Sequence, residues 1–432
     1  MTQEAAQKSK RAIVAAVQLS SVSDLEFNAS LAELRQLAKT LGFEVVATFT
    51  QKRAGFDKTA YFGTGKREEL RLMREQEAAD VILIDHEISP SQAFNLEKEV
   101  GGEVMDRTMV ILEIFHRHAR SRTARAQVEI ARLGYMAPRL REAAKQAGPK
   151  DRARSGTGGR SGGESHGELD RRKIRDRIAE LQKELDSMKL ERKTQRARRQ
   201  ERQGLARVAL VGYTNAGKST LMRALTGSEV LVADKLFATL DTTVRALHPE
   251  GVPRVLVSDT VGFIKNLPHA LVVSFKTTLD EALEASLLAH VVDASDPGFE
   301  RQLAVTEEVL EEIGAKDVPR LLVFNKIDRG GDAAALRKKY PGCVVMSARE
   351  PAEVARLSDR IRAFFEKELV EAEIFLPWAE QKLRGEIFAT CKVLAERADD
   401  KGAFLRVRGD ADTVKHLQQR YGRAAKPRSK AT

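Results

Sequence analysis

The sequence predicts an α/β protein made of an N-terminal α/β domain, a long helical hairpin with a coiled-coil seam, a doubly wound phosphate-loop domain and a small α+β domain at the C-terminus. Three observations predict this. Gly212-Tyr213-Thr214-Asn215-Ala216-Gly217-Lys218-Ser219-Thr220 matches the pattern GxxxxGK[ST] in full, with an apolar strand running into it and a helix leading out. Residues 11–115 alternate short apolar runs with helical patterns, as layered α/β packing requires. Between these stretches lie two long basic helical segments separated by a run rich in glycine and serine. At 432 residues the chain exceeds one ordinary core. The expected units are residues 1–116, 117–204, 205–370 and 371–432.

In the first unit, Ala12 to Leu19, Glu44 to Phe49 and Val81 to Asp85 read as strands. Gly63-Thr64-Gly65-Lys66 falls between two of them. It is far weaker than the later loop and reads as a plain turn in preference to a second nucleotide site.

From Ser121 to about Lys145 the composition is helical, with Ala124, Val128, Ala131 and Tyr135 on one mildly apolar face. Pro149 to Gly167 then carries six glycines, a composition that cannot bury a core. The helix resumes from Leu169 to about Gln203, where Ile174, Ile178, Leu181, Leu185 and Met188 alternate steps of four and three and form a coiled-coil seam. Two antiparallel helices with a glycine-rich tip are the simplest assembly, and because the seam closes internally a monomer is expected. Residues 117–207 hold 26 Lys and Arg against 12 Asp and Glu, so this segment carries an excess of 14 in a chain whose net charge is +11. A solvated surface is the ordinary reading of a charge run. An excess this large favours a polyanion, with nucleic acid ahead of an acidic membrane surface.

In the third unit, Arg207 to Val211 is a buried strand and Ser219 to Leu225 an opening helix. Amides at that helix N-terminus and the helix dipole favour phosphate, while Gly212 and Gly217 let the backbone close in. Lys218 is placed to neutralise the β- and γ-phosphates, and Ser219 to bind magnesium, a hard cation that takes oxygen ligands. Val255 to Ser258 is an apolar strand ending in Asp259-Thr260-Val261-Gly262. Asp259 is expected to face the magnesium through water and the Gly262 amide to contact the terminal phosphate. Between these motifs Phe237-Ala238-Thr239-Leu240-Asp241-Thr242-Thr243 offers three threonines for a switch-loop magnesium ligand, and spacing alone does not choose among them.

Asn325-Lys326-Ile327-Asp328 follows about a hundred residues after the loop. A carboxylate such as that of Asp328 accepts two hydrogen bonds from the ring N–H and exocyclic amine of guanine, a donor pair that adenine lacks. Ser347-Ala348-Arg349, after the strand Cys343 to Met346, would complete the base pocket through its backbone. The substrate these motifs imply is therefore GTP with Mg2+. After Gly262 stands Phe263, where Ras-like enzymes place the glutamine that orients the attacking water. Phenylalanine cannot do this, so hydrolysis is expected to be slow until another part of the chain or a partner positions the water.

Beyond Phe375-Leu376-Pro377-Trp378 there is room for about two helices and two strands and a basic tail. The cysteines, Cys343 and Cys391, form neither a disulfide framework nor a metal-ligand pattern. Met1 to Lys10 is polar, and no apolar run approaches the roughly 18 residues of a membrane span. A soluble, cytoplasmic protein is expected, with peripheral association at a membrane surface left open.

The loop at 212–220, Phe-Ala-Thr-Leu-Asp at 237–241, and Asp-Thr-Val-Gly-Phe-Ile-Lys-Asn-Leu-Pro-His at 259–269 resemble the HflX family of translational GTPases. Arg139-Leu140 and Gly167-Glu168-Leu169-Asp170-Arg171-Arg172 extend the resemblance, which covers about residues 10 to 370. The resemblance implies that Thr239 is the switch-loop magnesium ligand and that Lys218, Thr239 and Gly262 carry catalysis. It also implies a target: the large ribosomal subunit and its rRNA, docked through the N-terminal and hairpin regions, with stimulated GTP hydrolysis and splitting of stalled ribosomes. The family's G-P-G-E-T-like run is replaced here by Gly162-Gly163-Glu164-Ser165-His166-Gly167. Two functions of other classes compete: an RNA-remodelling ATPase or chaperone working through the first domain, which needs a second real nucleotide site, and a GTP-dependent regulatory binding module.

Overall fold

The computed structural model describes residues 9–146, 166–200, 206–228, 236–237, 240, 242–251, 253–265, 282–367 and 369–421. The chain divides into two compact units. One comprises Met1–Met188, Ala233–Asp241 and Ile264–Thr277, and the other Lys189–Val232, Thr242–Phe263 and Thr278–Thr432.

The first unit is built on four parallel strands: β1 (Arg11–Leu19), β2 (Glu44–Arg53), β3 (Val81–Ile84) and β4 (Glu103–Asp106), in the order β2-β1-β3-β4. Central β1 is buried from Ala12 to Gln18, consistent with helices covering both faces of a parallel sheet. Its helices are α1 (Asp24–Thr40), α2 (Thr64–Gln76), α3 (Pro90–Val100) and α4 (Arg107–His118). Local sequence fixes their ends. Ser89 accepts from the Gln92 amide while the Gln92 side chain bonds the Ser89 amide, Pro90 occupies the first turn, and Gly101 ends α3 in the left-handed region. Gly63 stands at the N-cap of α2. In that first turn the Lys66 ammonium pairs with Glu69 and lies over the Phe49 ring.

Helices α5 (Arg122–Gln146) and α6 (His166–Gln200) form the hairpin. They run antiparallel: Arg122 pairs with Glu184 at 2.7 Å, and the Thr123 hydroxyl lies 3.4 Å from the Met188 sulfur. Helix α5 carries two apolar faces. Ala126, with Ile130 and Leu133, packs against Leu181 and Leu185 of the seam. Ala124, Val128 and Ala131, also buried, occupy the face apparent in the sequence. This helix packs on α3 and α4, and its attachment is polar as well. The Tyr135 hydroxyl and the Arg139 guanidinium both donate to Asp106, a carboxylate with no exposure that also accepts from the amides of Ile88 and Met109. Residues 147–165, which hold most of the expected glycine-rich tip, lie outside the described residues.

The second unit contains a six-stranded sheet of β5 (Ala206–Val211), β6 (Thr243–Ala246), β7 (Val255–Asp259), β8 (Leu287–Asp293), β9 (Arg320–Asn325) and β10 (Val344–Val345), in the order β10-β9-β8-β5-β7-β6. All neighbours are parallel except β6 and β7. Helices α7 (Lys218–Thr226), α8 (Phe299–Glu312), α9 (Ala333–Lys339) and α10 (Pro351–Glu366) accompany this sheet, and its core joins Val208, Leu210, Leu221, Val257, Val291, Leu357 and Ile361. Thr243, grouped by sequence with the switch loop, is the first residue of edge strand β6.

The C-terminal part holds β11 (Val370–Pro377) and, beyond it, the two strands and two helices expected there: β12 (Lys392–Ala398) and β13 (Gly402–Gly409), with α11 (Arg384–Thr390) and α12 (Ala411–Tyr421); the strands are antiparallel in the order β11-β13-β12. Strand β12 is largely exposed, and a register shift interrupts its pairing with β13. Residues 422–432, where the basic tail was expected, lie outside the described residues. Among the described residues no helix is long and apolar enough to cross a membrane.

Candidate functional site

The loop 212–217 leaves the C-terminal end of β5, which lies between β7 and β8. That is where the strand order reverses and where open α/β sheets bind ligands. Helix α7 opens at Lys218 with Gly217 as its N-cap. Gly217 has φ +94°, and a Cβ there would lie 2.3 Å from the Asn325 side-chain nitrogen. Only glycine fits that approach, because Asn325 ties the site together. Its side-chain amide donates to the Ala216 carbonyl and its side-chain oxygen accepts from the Ala348 amide, both at 2.9 Å. One buried side chain thus holds the phosphate loop and the 347–349 segment.

Lys326, also left-handed at φ +60°, reaches back over the loop. Its ammonium donates to the Asn215 carbonyl at 2.6 Å and to Asp293 at 2.8 Å. Asp293 also accepts from the Ser295 amide and hydroxyl. Asp328, in the short turn Ile327–Arg329, is exposed. A hydrogen bond from Ser347 holds its carboxyl below the usual carboxylate range, so it is ionised and ready to accept. Ser347 is positioned in turn by its amide donating to Glu353 at 2.6 Å.

Lys218 is buried, and its ammonium donates to the carbonyls of Gly212 and Tyr213 at 2.9 and 2.8 Å. Burial pushes its pKa down to about 8, against the opposing pull of Asp259. The Ser219 hydroxyl donates to Asp259 at 2.7 Å, which places two hard oxygen donors at the mouth of the loop. The Thr260 hydroxyl donates to the Leu210 carbonyl at 2.7 Å and so serves the strand pair. At Gly262, a Cβ would lie 2.8 Å from the Thr214 Cα and 3.0 Å from the Lys218 nitrogen. The next residue closes on the loop through its backbone: Thr214 N–H donates to the Phe263 carbonyl at 2.7 Å, and Phe263 N–H to the Gly212 carbonyl at 3.1 Å. The Phe263 ring is only 1 % exposed.

The structure therefore brings together the loop, Ser219, Asp259 to Gly262, Asn325 to Asp328 and Ser347 to Arg349. Phe237 makes its contacts within the first unit. Its ring lies 4.6 Å from that of Phe115, its carbonyl is 3.0 Å from the His118 ring nitrogen, and the neighbouring Leu236 amide donates to Thr40. Leu240 is buried. Ala238, Thr239 and Asp241, including the expected magnesium threonine, lie outside the described residues. Sequence reasoning missed Asp293 and Glu353. Asp293 ends an apolar strand beside the loop, a pattern that also drew attention to Asp259. Glu353 acts through a backbone amide six residues away, and no motif marks it.

Three family models match the chain: one described as GTP-binding GTPase N-terminal over residues 28–116, one as GTP-binding GTPase Middle Region over residues 118–199, and one as 50S ribosome-binding GTPase over residues 207–326. A protein of Gluconacetobacter diazotrophicus named GTPase HflX is 50% identical over 450 residues, covering 94% of this chain and 97% of that protein. Another GTPase HflX, from Caldanaerobacter subterraneus subsp. tengcongensis, is 39% identical over 416 residues, with 96% and 95% covered. A GTP-binding protein of Sulfolobus solfataricus, solved in complex with GDP, is 24% identical with a TM-score of 0.44, covering 82% of this chain and 99% of that one.

Proposed function

This chain belongs to the HflX family of GTPases, and from that premise we propose that it docks on the large ribosomal subunit in its GTP-bound form, is stimulated there to hydrolyse GTP, and splits or rescues stalled ribosomes. Phe263 carries the reading. At the position from which a side chain would orient water, the structure has a buried ring whose backbone is bonded to the phosphate loop. The chain's own residues then account for binding, and water positioning falls to a partner that rearranges this segment.

The geometry supports the following roles. Lys218 exchanges the carbonyls of Gly212 and Tyr213 for the β- and γ-phosphates, and amides of the loop and of α7 donate to the same oxygens. Asp328 and the 347–349 segment select guanine. The donor set fits magnesium: Ser219 and Thr239 would hold it directly and Asp259 through water, and the hydroxyl and carboxylate already found 2.7 Å apart are hard oxygen ligands. When bound, the ion neutralises charge on the phosphates. The Gly262 amide, on a backbone with no side chain to obstruct it, donates to the terminal phosphate. Loss of that phosphate releases the segment back to the loop, which couples hydrolysis to undocking.

The distribution of charge supports the target. Residues 117–207 hold the chain's whole positive excess, and the rest is net negative at −3. The family model described as a 50S ribosome-binding GTPase supports the same target. Closure of Leu181 and Leu185 on Ala126 within one chain supports a monomer. Sedimentation with large subunits and a non-hydrolysable GTP analogue tests the docking. Reversing Arg192, Lys193, Arg196, Arg198 and Arg199 to glutamate is expected to abolish co-sedimentation at physiological salt. Unchanged binding would remove the hairpin from the interface.

A further inference from the structure

On the nucleotide domain, α7 and α10 do not close fully on one another. A cavity of about 610 Å³ opens between them, walled also by His248-Pro249 and by Ala348-Arg349. Its construction is regular. Pro351, Val354, Ala355, Ser358, Asp359 and Arg362 recur at steps of three and four and form one continuous face of α10 toward the cavity, while Leu357, Ile361 and Phe365 of the same helix serve the core.

Three features of the lining point to a ligand. The Ser358 hydroxyl belongs to a residue 6 % exposed and has no hydrogen-bond partner among the described residues. A buried hydroxyl left unmatched is costly, so it marks a place where a polar atom is missing. Arg223, Arg349 and Arg362 line the cavity against one acid, Asp359, and among the described residues no carboxylate lies within ion-pair distance of any of the three. The remaining wall is apolar, from Ala224, Leu225, Pro249, Pro351, Val354 and Ala355. The volume is within the range of small-molecule sites and larger than a bare oxyanion requires.

We propose that this cavity is an effector site for a small organic anion, one with a phosphate, sulfonate or carboxylate head for the arginines and Ser358 and an apolar or planar body for the wall. Its position gives it leverage on the nucleotide. Thr220 is the last residue of the phosphate-loop motif, and Ala348 is the residue whose amide is bonded to Asn325. A ligand seated here touches the far side of both nucleotide-binding elements, so its occupancy shifts guanine-nucleotide affinity, and nucleotide shifts its own by the same factor.

The test uses the full chain saturated with GDP and anilinonaphthalene sulfonate as the probe, because that molecule joins an anionic head to an apolar body. Saturable fluorescence with one probe per chain is expected. Ala355→Trp and Ala224→Trp, both at exposed helix positions, fill the cavity from opposite walls and are each expected to weaken binding about tenfold or more. Ser358→Ala gives a discriminating readout: it removes the unmatched hydroxyl, so the variant melts no lower than the parent yet binds the probe more weakly. Saturating probe is expected to change the GDP release rate of the parent and not of Ala355→Trp. Equal probe binding by the parent and both tryptophan variants overturns the site. Probe binding with no change in GDP release overturns its role as an effector site.

Discussion

Lys218 sits among backbone carbonyls with its ammonium already weakened, its pKa pushed down to about 8 by burial. A polyphosphate favours the protonated form, so the pKa rises in the complex. The sign follows: binding takes up a proton wherever free Lys218 is neutral. Affinity for GTP is therefore fully expressed below about pH 8 and falls above it, by up to about tenfold per pH unit until the bound form also titrates. Calorimetry across that range, in buffers of different ionisation enthalpy, should show proton uptake growing with pH. A flat profile would mean that Lys218 is charged throughout. Asn325→Ala removes the bonds to Ala216 and Ala348 together and leaves the buried Ala216 carbonyl unmatched, at a cost of about 1 to 3 kcal/mol, and the half-buried Ala348 amide without its acceptor. GDP affinity is expected to fall by about tenfold or more, measured by competition with a fluorescent analogue. Asp328→Asn turns an acceptor into a group that also donates, and is expected to move the preference from GTP toward xanthosine triphosphate, whose carbonyl accepts where the guanine amine donated.

Among the elements, the hairpin joint is where packing and polar contacts combine. Leu181→Ala deletes a buried seam residue, and a core truncation of this kind costs about 2 to 5 kcal/mol. Hydrogen exchange should show faster opening in α5 and α6 while the β5 to β10 sheet stays protected. Arg139→Ala strips an ion pair from Asp106, which has no exposure, and should loosen α5 from the N-terminal sheet by a similar readout. Much at this scale was legible in sequence. The strand into the phosphate loop, the helix out of it and the long helices of the hairpin are written in local periodicity and in glycine placement. The second face of α5 was not, because Ala126, Ile130 and Leu133 acquire an apolar role only when Leu181 and Leu185 arrive from a distant segment. Motif spacing marked Asn325 as a base-site residue, but not that it clamps the phosphate loop, since the partners lie 109 and 23 residues away. The packing of Phe237 on Phe115 had no local signal either, as it joins residues from opposite sides of the hairpin in sequence.

For the whole molecule, the proposed function joins two properties held in different parts of the chain. In that reading the nucleotide domain binds guanine nucleotide with Phe263 where a side chain would orient water, and the basic hairpin supplies the polyanion contact. Electrostatic docking of this kind weakens steeply with salt, because each neutralised phosphate releases a counterion. The five-residue charge reversal should therefore flatten the salt dependence of ribosome binding as well as lower the affinity. The most direct test of the central claim is the rate of GTP hydrolysis by the purified chain with and without large ribosomal subunits, with Lys218→Ala as the blank. The expected result is a slow rate alone and strong stimulation by subunits, lost in the blank. Fast turnover without subunits, or a slow rate that subunits leave unchanged while GTP remains bound, would contradict a ribosome-activated GTPase.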